Sequence, residues 1–202
     1  MKLIRSGYGE FVPVIENGKI LYGGYQNSLG AKGVSQFFRD RSCVVTAFTN
    51  VYFYLFHRDR KIDIDIYNEY QYYFYRRIRP LINGVSTVGR LDRRLELVRD
   101  DMGIELKSKR LSENTLIRRP LGKKIAFIEE ALAYDSPPIL INWISNDIRV
   151  MRHHGLCITE LNKVKGKHEV VVSSWGKPYK FYLEDFNKQF RDYSGLIYFS
   201  ER

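Results

Sequence analysis

The sequence predicts an α+β fold in which a mainly helical N-terminal half packs on a C-terminal antiparallel sheet. The stretch from Cys43 to about His57 is apolar on nearly every face, which is typical of a buried central helix. Helical periodicity continues to about residue 134. After Pro137 and Pro138 the chain changes to short β-branched or aromatic runs separated by turn residues, which indicate strands.

The individual elements follow from local patterns. The first forty residues are rich in glycine and turn-forming residues, and we expect a loop or short hairpin there. Amphipathic helices are predicted at residues 64–79, 87–102 and 123–134. Strands are predicted at residues 139–144, 154–161, 168–175, 179–183 and 195–200.

Length and composition favour a single domain. The chain has 202 residues, of which 44% are hydrophobic and 14% aromatic, enough to bury one full core around a central helix. We therefore predict one domain over residues 1–202. Residues 1–135 form its mainly helical half and residues 136–202 its mainly β half.

Targeting and cysteine patterns predict a cytoplasmic protein. The N-terminus lacks the apolar run of about 7–15 residues that a signal peptide needs, and no stretch of about 18 apolar residues could span a bilayer. Two cysteines, Cys43 and Cys157, do not form a disulfide framework. We therefore expect both to be free thiols in a reducing compartment, with no membrane partner.

The charge is strongly positive, with a formal net value of +10. Arginines cluster at residues 75–80, 89–94 and 116–124, and together with the 15 tyrosines they could form an RNA-binding surface. No RRM, KH or helix-turn-helix signature accompanies them, so a nucleic-acid partner is not expected. We predict instead that the charge steers acidic or carboxylate-bearing peptides.

Cys43 is the candidate nucleophile. It follows the polar, charged stretch at residues 38–42 and begins the apolar helix, where unpaired N–H groups and the helix dipole lower a thiol pKa and favour the thiolate. Cys157 lies inside a predicted strand, and we interpret it as a buried structural thiol.

A thiol nucleophile needs a base, and His154 is the best placed histidine. It begins the strand at residues 154–161, whose alternation directs Cys157 to the opposite face. None of the histidines and cysteines has zinc-site spacing, so no metal and no cofactor are predicted. A hairpin between the strands at 154–161 and 168–175 would bring Ser173, Ser174 and Trp175 beside His154.

These residues resemble the papain-like cysteine peptidases. In that family a cysteine heads the central helix, a histidine begins a later strand, and an asparagine commonly stands in Asn-Ser-Trp-Gly. The matching stretch here is Ser-Ser-Trp-Gly at residues 173–176. The resemblance implies that Cys43 is the nucleophile, His154 the general base and then acid, Ser173 the residue that orients the imidazole, and Trp175 its shield from water.

The family also places an oxyanion-binding glutamine six residues before the cysteine. Gln36 lies seven residues before Cys43 and is the first candidate, while Gln26 is the alternative. Either side-chain amide, with the Cys43 backbone N–H, would stabilise a developing oxyanion.

Within the superfamily, the compact length and the C-terminal strand progression look most like bacterial double-glycine-leader-peptidase-like proteins. Their Gly-Cys-Gly triplet is absent, because Ser42 and Val44 flank Cys43. The expected function is a cysteine peptidase or amidase that cleaves a peptide or amide bond through a thioester. An acyl transferase of the same fold, and a catalytically degenerate protein that binds peptide or nucleic acid, remain open.

Overall fold

The computed structural model describes residues 1–4, 11–143, 148–189 and 192–201. Within these ranges the chain forms six α-helices, nine β-strands and two 3₁₀ segments. The helices are α1 (Gln36–Arg39), α2 (Cys43–Phe56), α3 (Ile64–Ile78), α4 (Val88–Met102), α5 (Leu121–Ala133) and α6 (Leu183–Lys188). The strands are β1 (Pro13–Glu16), β2 (Lys19–Tyr22), β3 (Ile62–Asp63), β4 (Leu106–Asn114), β5 (Ile139–Trp143), β6 (His154–Val164), β7 (Lys167–Ser174), β8 (Lys177–Tyr182) and β9 (Tyr193–Glu201). The 3₁₀ segments are Gln26–Lys32 and Arg149–Met151.

The main sheet has six antiparallel strands in the order β4-β9-β5-β6-β7-β8. A smaller sheet, in the order β2-β1-β3, combines the antiparallel β1–β2 hairpin with a short parallel pair. The α+β class predicted from the sequence is therefore confirmed.

Strand alternation divides the core into two clusters, one on each face of the main sheet. Ile139, Ile141 and Cys157 face the first cluster, which contains α2 and its neighbours α3 and α4. Leu140 and Leu156 face the second cluster, which contains α5. The central helix is thus covered by the sheet on one side and by helices on the other, which explains why it is apolar all round.

One irregularity sets the geometry of the β6–β7 hairpin. Near the turn, Glu160 lies opposite Val171, but Ile158 lies opposite Val172. Thr159 is therefore an extra residue in β6, a β-bulge that changes the facing of every residue beyond it.

Several predicted elements are confirmed and others were missed. Helix α2 begins at Cys43, the glycine-rich N-terminal region contains the β1–β2 hairpin, and the five C-terminal strands are present. Residue 144, the predicted end of β5, lies outside the described residues. Strand β4 was not predicted; it extends the sheet into the N-terminal half by pairing with β9. Among the described residues, no helix is long and apolar enough to cross a membrane.

Candidate active site at the head of the central helix

Cys43 is the first residue of α2 and is partly buried. Its sulfur interacts with the backbone N–H groups of Gly155, Val44 and Cys43 itself. Gly155 makes this approach possible, because a Cβ atom there would lie 2.4 Å from Cγ2 of Val44. The start of β6 therefore rests directly on the first turn of α2, at the residue that follows His154.

His154 begins β6 and is buried, with only 8% of its surface exposed. It lines both a small cavity and the neighbouring cleft together with Cys43. Its Nε2 atom lies 2.6 Å from the Ser174 hydroxyl oxygen. The Nδ1 atom is therefore the nitrogen left to exchange a proton with a reacting group.

Trp175 covers the imidazole. The two rings are stacked with their centroids 4.7 Å apart and an interplanar angle of 21°. Trp175 and Gly176 form the two-residue turn between β7 and β8, and both have positive φ, 49° and 72°. A bulky residue in that backbone conformation costs conformational free energy, and such turns favour Asn-Gly. The contact with His154 gives a reason for tryptophan at this strained position.

The assignment of Ser173 as the residue that orients His154 is wrong. Its hydroxyl donates a hydrogen bond of 2.7 Å to the Tyr22 carbonyl oxygen, on the side of β7 that faces the N-terminal hairpin. Ser174 contacts the imidazole in its place. Ser173 does line the same small cavity as Cys43, so it belongs to the surroundings of the site.

The bulge at Thr159 explains why Ser174, and not Ser173, lies against His154. Without the extra residue, the regular register would place Ser173 opposite Ile158, on the face that His154 shares. The observed register pairs Ser173 with Cys157 instead, which turns Ser173 away from His154 and Ser174 toward it. Packing supports the bulge, since Ile158 and Leu161, three residues apart, both enter the second core cluster.

The assignment of Gln36 as the first candidate for the oxyanion site is also wrong. Gln36 is exposed on α1, where its amide nitrogen donates to Asp40 at 2.5 Å and its carbonyl oxygen accepts from Arg39. The alternative, Gln26, lines the small cavity that contains Cys43 and His154. Within the described part of the chain, its side chain forms no hydrogen bond.

Two glycines bring Gln26 to the cysteine although 16 residues separate them in the sequence. A Cβ atom on Gly24 would collide with the Tyr67 ring at 2.1 Å, and one on Gly23 would lie 2.7 Å from the Ser173 hydroxyl. The backbone N–H of Gly24 donates to Oδ1 of Asn50 in α2, at 2.9 Å. The chain just before Gln26 is thus fixed against the central helix.

A second set of buried polar contacts holds the 3₁₀ segment that begins at Gln26. The Ser28 hydroxyl donates to Oε1 of Gln71 at 3.0 Å, and Nε2 of Gln71 donates to the Thr46 hydroxyl at 2.8 Å. These contacts link the segment to α3 and α2. They place Gln26 on a rigid support.

The pKa shifts describe a neutral resting pair. Burial raises the pKa of the Cys43 thiol above its ordinary value, although the N–H groups of Gly155, Val44 and Cys43 offset part of that effect. Burial lowers the pKa of His154 to about 4. The expectation of a thiol pKa lowered by the helix terminus is therefore not met, because desolvation outweighs the N–H groups.

A cleft of about 260 Å³ opens beside the thiol and the imidazole. One wall consists of the α1–α2 junction and the loop at residues 82–85, and the other of β5 and the start of β6. Arg41 ties the first wall together by donating from Nε to the Ile82 carbonyl oxygen and from Nη1 to the Phe37 carbonyl oxygen. The cleft therefore has a built wall on each side of the candidate nucleophile.

Asn142 is a cleft residue that the sequence analysis missed. It is fully buried and lies opposite His154 in the β5–β6 register. Its Nδ2 atom donates to the Met151 carbonyl oxygen at 2.7 Å, while Oδ1 has no hydrogen-bond partner among the described residues. The only sequence signal was one amide within the apolar run 139–144.

Comparisons with protein-family models and with curated proteins gave no match. Among the described residues, no three metal-ligating side chains come together.

Proposed function

We propose that the protein is a papain-like cysteine peptidase or amidase that cleaves a peptide or amide bond through a thioester on Cys43. The observation that supports this most strongly is the shared cavity of Cys43 and His154 at the head of a buried helix, with Gln26 lining the same space. Nucleophile, base and oxyanion donor are the parts that acyl transfer requires. A reactive free thiol of this kind suits a reducing compartment such as the cytoplasm.

Attack begins from the neutral pair. Nδ1 of His154 takes the thiol proton as the Cys43 sulfur bonds to the carbonyl carbon, and the carbonyl π electrons move to oxygen. The backbone N–H of Cys43 and the Gln26 amide stabilise that oxyanion. The imidazolium then gives its proton to the departing amine as the C–N bond breaks, which leaves a thioester and a neutral imidazole.

Deacylation follows the same steps with water as the nucleophile. The water oxygen attacks the thioester carbonyl while His154 takes a proton from that water. His154 then returns the proton to the sulfur as the C–S bond breaks. An amine that replaces water would give acyl transfer by the same steps. The acyl acceptor therefore decides between the hydrolase and the acyl transferase.

Ser174 and Trp175 act on the imidazole rather than on the substrate. An Nε2–H that donates to Ser174 leaves Nδ1 free to accept the thiol proton. A serine hydroxyl can also donate to Nε2, so it fixes the tautomer less strictly than an amide oxygen would. The stacked Trp175 ring keeps water away from this hydrogen bond.

The test is a burst assay with N-acetylated amino-acid p-nitrophenyl esters, followed by mass spectrometry. We expect about one equivalent of rapid nitrophenol release, a hydroxylamine-sensitive adduct on Cys43, and slower turnover by water. Cys157→Ala should behave like the wild type, whereas Cys43→Ala should give no burst. Equal acylation of Cys43→Ala would contradict the proposal, and adding glycinamide would detect transfer to an amine.

The raised thiol pKa and the serine at the imidazole favour a second candidate, a peptide-binding protein without chemistry. That candidate predicts saturable peptide binding in the cleft, with no burst and no adduct on Cys43.

A further inference from the structure

A second hollow, of about 400 Å³, lies on the side of α4. It adjoins the main cleft, because Gly84 and Val85 line the cleft while the next two residues line the hollow. Its lining residues are Ser86, Thr87, Arg90, Arg93, Arg94 and Leu97. Ser86 and Thr87 immediately precede α4, and the other four residues lie on one face of it, at the spacing of successive helical turns.

Its three arginines have no neutralising partner. In the described part of the chain, the guanidinium groups of Arg90, Arg93 and Arg94 form no ion pair and no hydrogen bond. Nε of Arg90 is buried and unsatisfied. The nearest acid in the sequence, Asp92, is engaged by Arg99 at 2.7 Å and by Arg110 at 3.3 Å.

The arrangement is unfavourable for the helix itself. Thr87 caps α4 by accepting from the Arg90 N–H, and the first turn contains no acidic residue. Cations near a helix N-terminus oppose the dipole, and like charges three or four residues apart repel. An anion in the hollow would relieve both effects. An arrangement that destabilises the helix in the absence of an anion therefore indicates a functional surface.

We infer that this hollow, defined by Arg90, Arg93 and Arg94, binds the carboxylates of an acidic segment of the peptide substrate. The inference rests on the proposed function, because the cleft supplies the link to the reacting bond. An extended chain advances about 3.3 Å per residue, and the hollow begins one residue beyond the cleft wall at Val85. The spacing to test is an acidic pair placed about two to four residues from the scissile bond, roughly 7–13 Å along an extended chain.

The experiment compares two peptide vinyl sulfones that differ only in Glu-Glu against Gln-Gln at those positions. The second-order rate of Cys43 modification is measured in the wild type and in Arg93→Gln/Arg94→Gln. We expect about a tenfold preference for the acidic probe at low salt, which falls toward about twofold near 300 mM salt. In the double variant the ratio should approach one.

Arg58→Gln/Arg60→Gln is the matched control. It removes the same charge from exposed residues beyond the far end of α2, about 20 Å from Cys43. It should retain the preference for the acidic probe. If both double variants lose the preference for the acidic probe equally, the preference depends on net charge and the proposed site is wrong. If the wild type shows no preference, the proposed site is also wrong.

Iodoacetamide labelling separates this inference from the proposed function, because it requires no peptide recognition. If Cys43 resists all electrophiles, the proposed function fails, and the hollow is tested by fluorescence anisotropy with labelled hexaglutamate. Binding that Arg93→Gln/Arg94→Gln abolishes would support the hollow on its own. Tighter binding of single-stranded RNA of equal length, with a steep salt dependence through the same arginines, would overturn the peptide assignment.

Discussion

The two cysteines lie against the same helix in opposite surroundings. Cys43 stands at the open end of α2, where three backbone N–H groups face its sulfur and a cleft adjoins it. Cys157 is fully buried against the second turn of α2, and its Sγ donates to the Ala47 carbonyl oxygen at 3.1 Å. Donors that face Cys43 favour a thiolate, whereas an acceptor that faces Cys157 requires the thiol.

The two thiols therefore differ in the groups that face them and not in burial alone. Burial raises the pKa of both thiols. Cys43 lines the same cavity as the imidazole of His154, the base proposed to take its proton during attack. The following substitutions test the difference, from the largest expected effect to the smallest.

Alanine at each cysteine should separate activity from stability. Cys43→Ala removes the nucleophile and should lower the burst rate by at least about 10³-fold, with the fold intact. Cys157→Ala should retain the burst but lose about 1–2 kcal/mol of unfolding free energy, because a buried sulfur and its hydrogen bond are deleted. Burst kinetics and urea unfolding measure the two effects. A burst that survives Cys43→Ala would invalidate the contrast.

The two glutamines provide the next test. Gln26→Ala should lower acylation by about 10²-fold, because one oxyanion donor is lost. Gln36→Ala should stay within about twofold, since its amide pairs with Asp40 on an exposed surface. Acylation rates and circular dichroism of both variants check this. The reverse order of effects would restore Gln36 as the donor.

Substitution of Ser174 should affect the acylation rate, whereas substitution of Ser173 should affect stability. Ser174→Ala should lower acylation by about tenfold, because the imidazole loses the contact that orients it. Ser173→Ala should leave acylation near the wild-type rate and cost about 1 kcal/mol of stability, because the Tyr22 carbonyl loses a donor. Equal kinetic losses in the two variants would show that Ser173 also controls His154.

Sequence patterns predicted the parts of the fold that depend on local periodicity. The apolar run from Cys43 predicted α2, and β-branched runs predicted the C-terminal strands. Strand β4 was not predicted because it lies at the edge of the sheet, where most of its side chains reach solvent. Such a strand lacks the apolar signal on which the prediction depends.

The site was predictable only in part, because two of its residues depend on non-local geometry. Cys43, His154 and Trp175 follow from residue type and order. The choice of Ser174 over Ser173 depends on the bulge at Thr159, a one-residue shift without a clear sequence signal. Gln26 reaches the thiol through close packing of the preceding glycines against α2 and α3, which sequence spacing does not reveal.

The most direct test of the Cys43–His154 pair is the pH dependence of Cys43 alkylation by iodoacetamide, from about pH 5 to about pH 8. Because the pKa of His154 is lowered to about 4, the imidazole is neutral throughout this range and can take the thiol proton. The wild type should therefore show a nearly pH-independent component. His154→Gln should lose that component, so that its rate rises about tenfold per pH unit as free thiolate forms. Superimposable profiles, or modification of Cys157 before Cys43, would contradict the assignment of Cys43 and His154 as nucleophile and base.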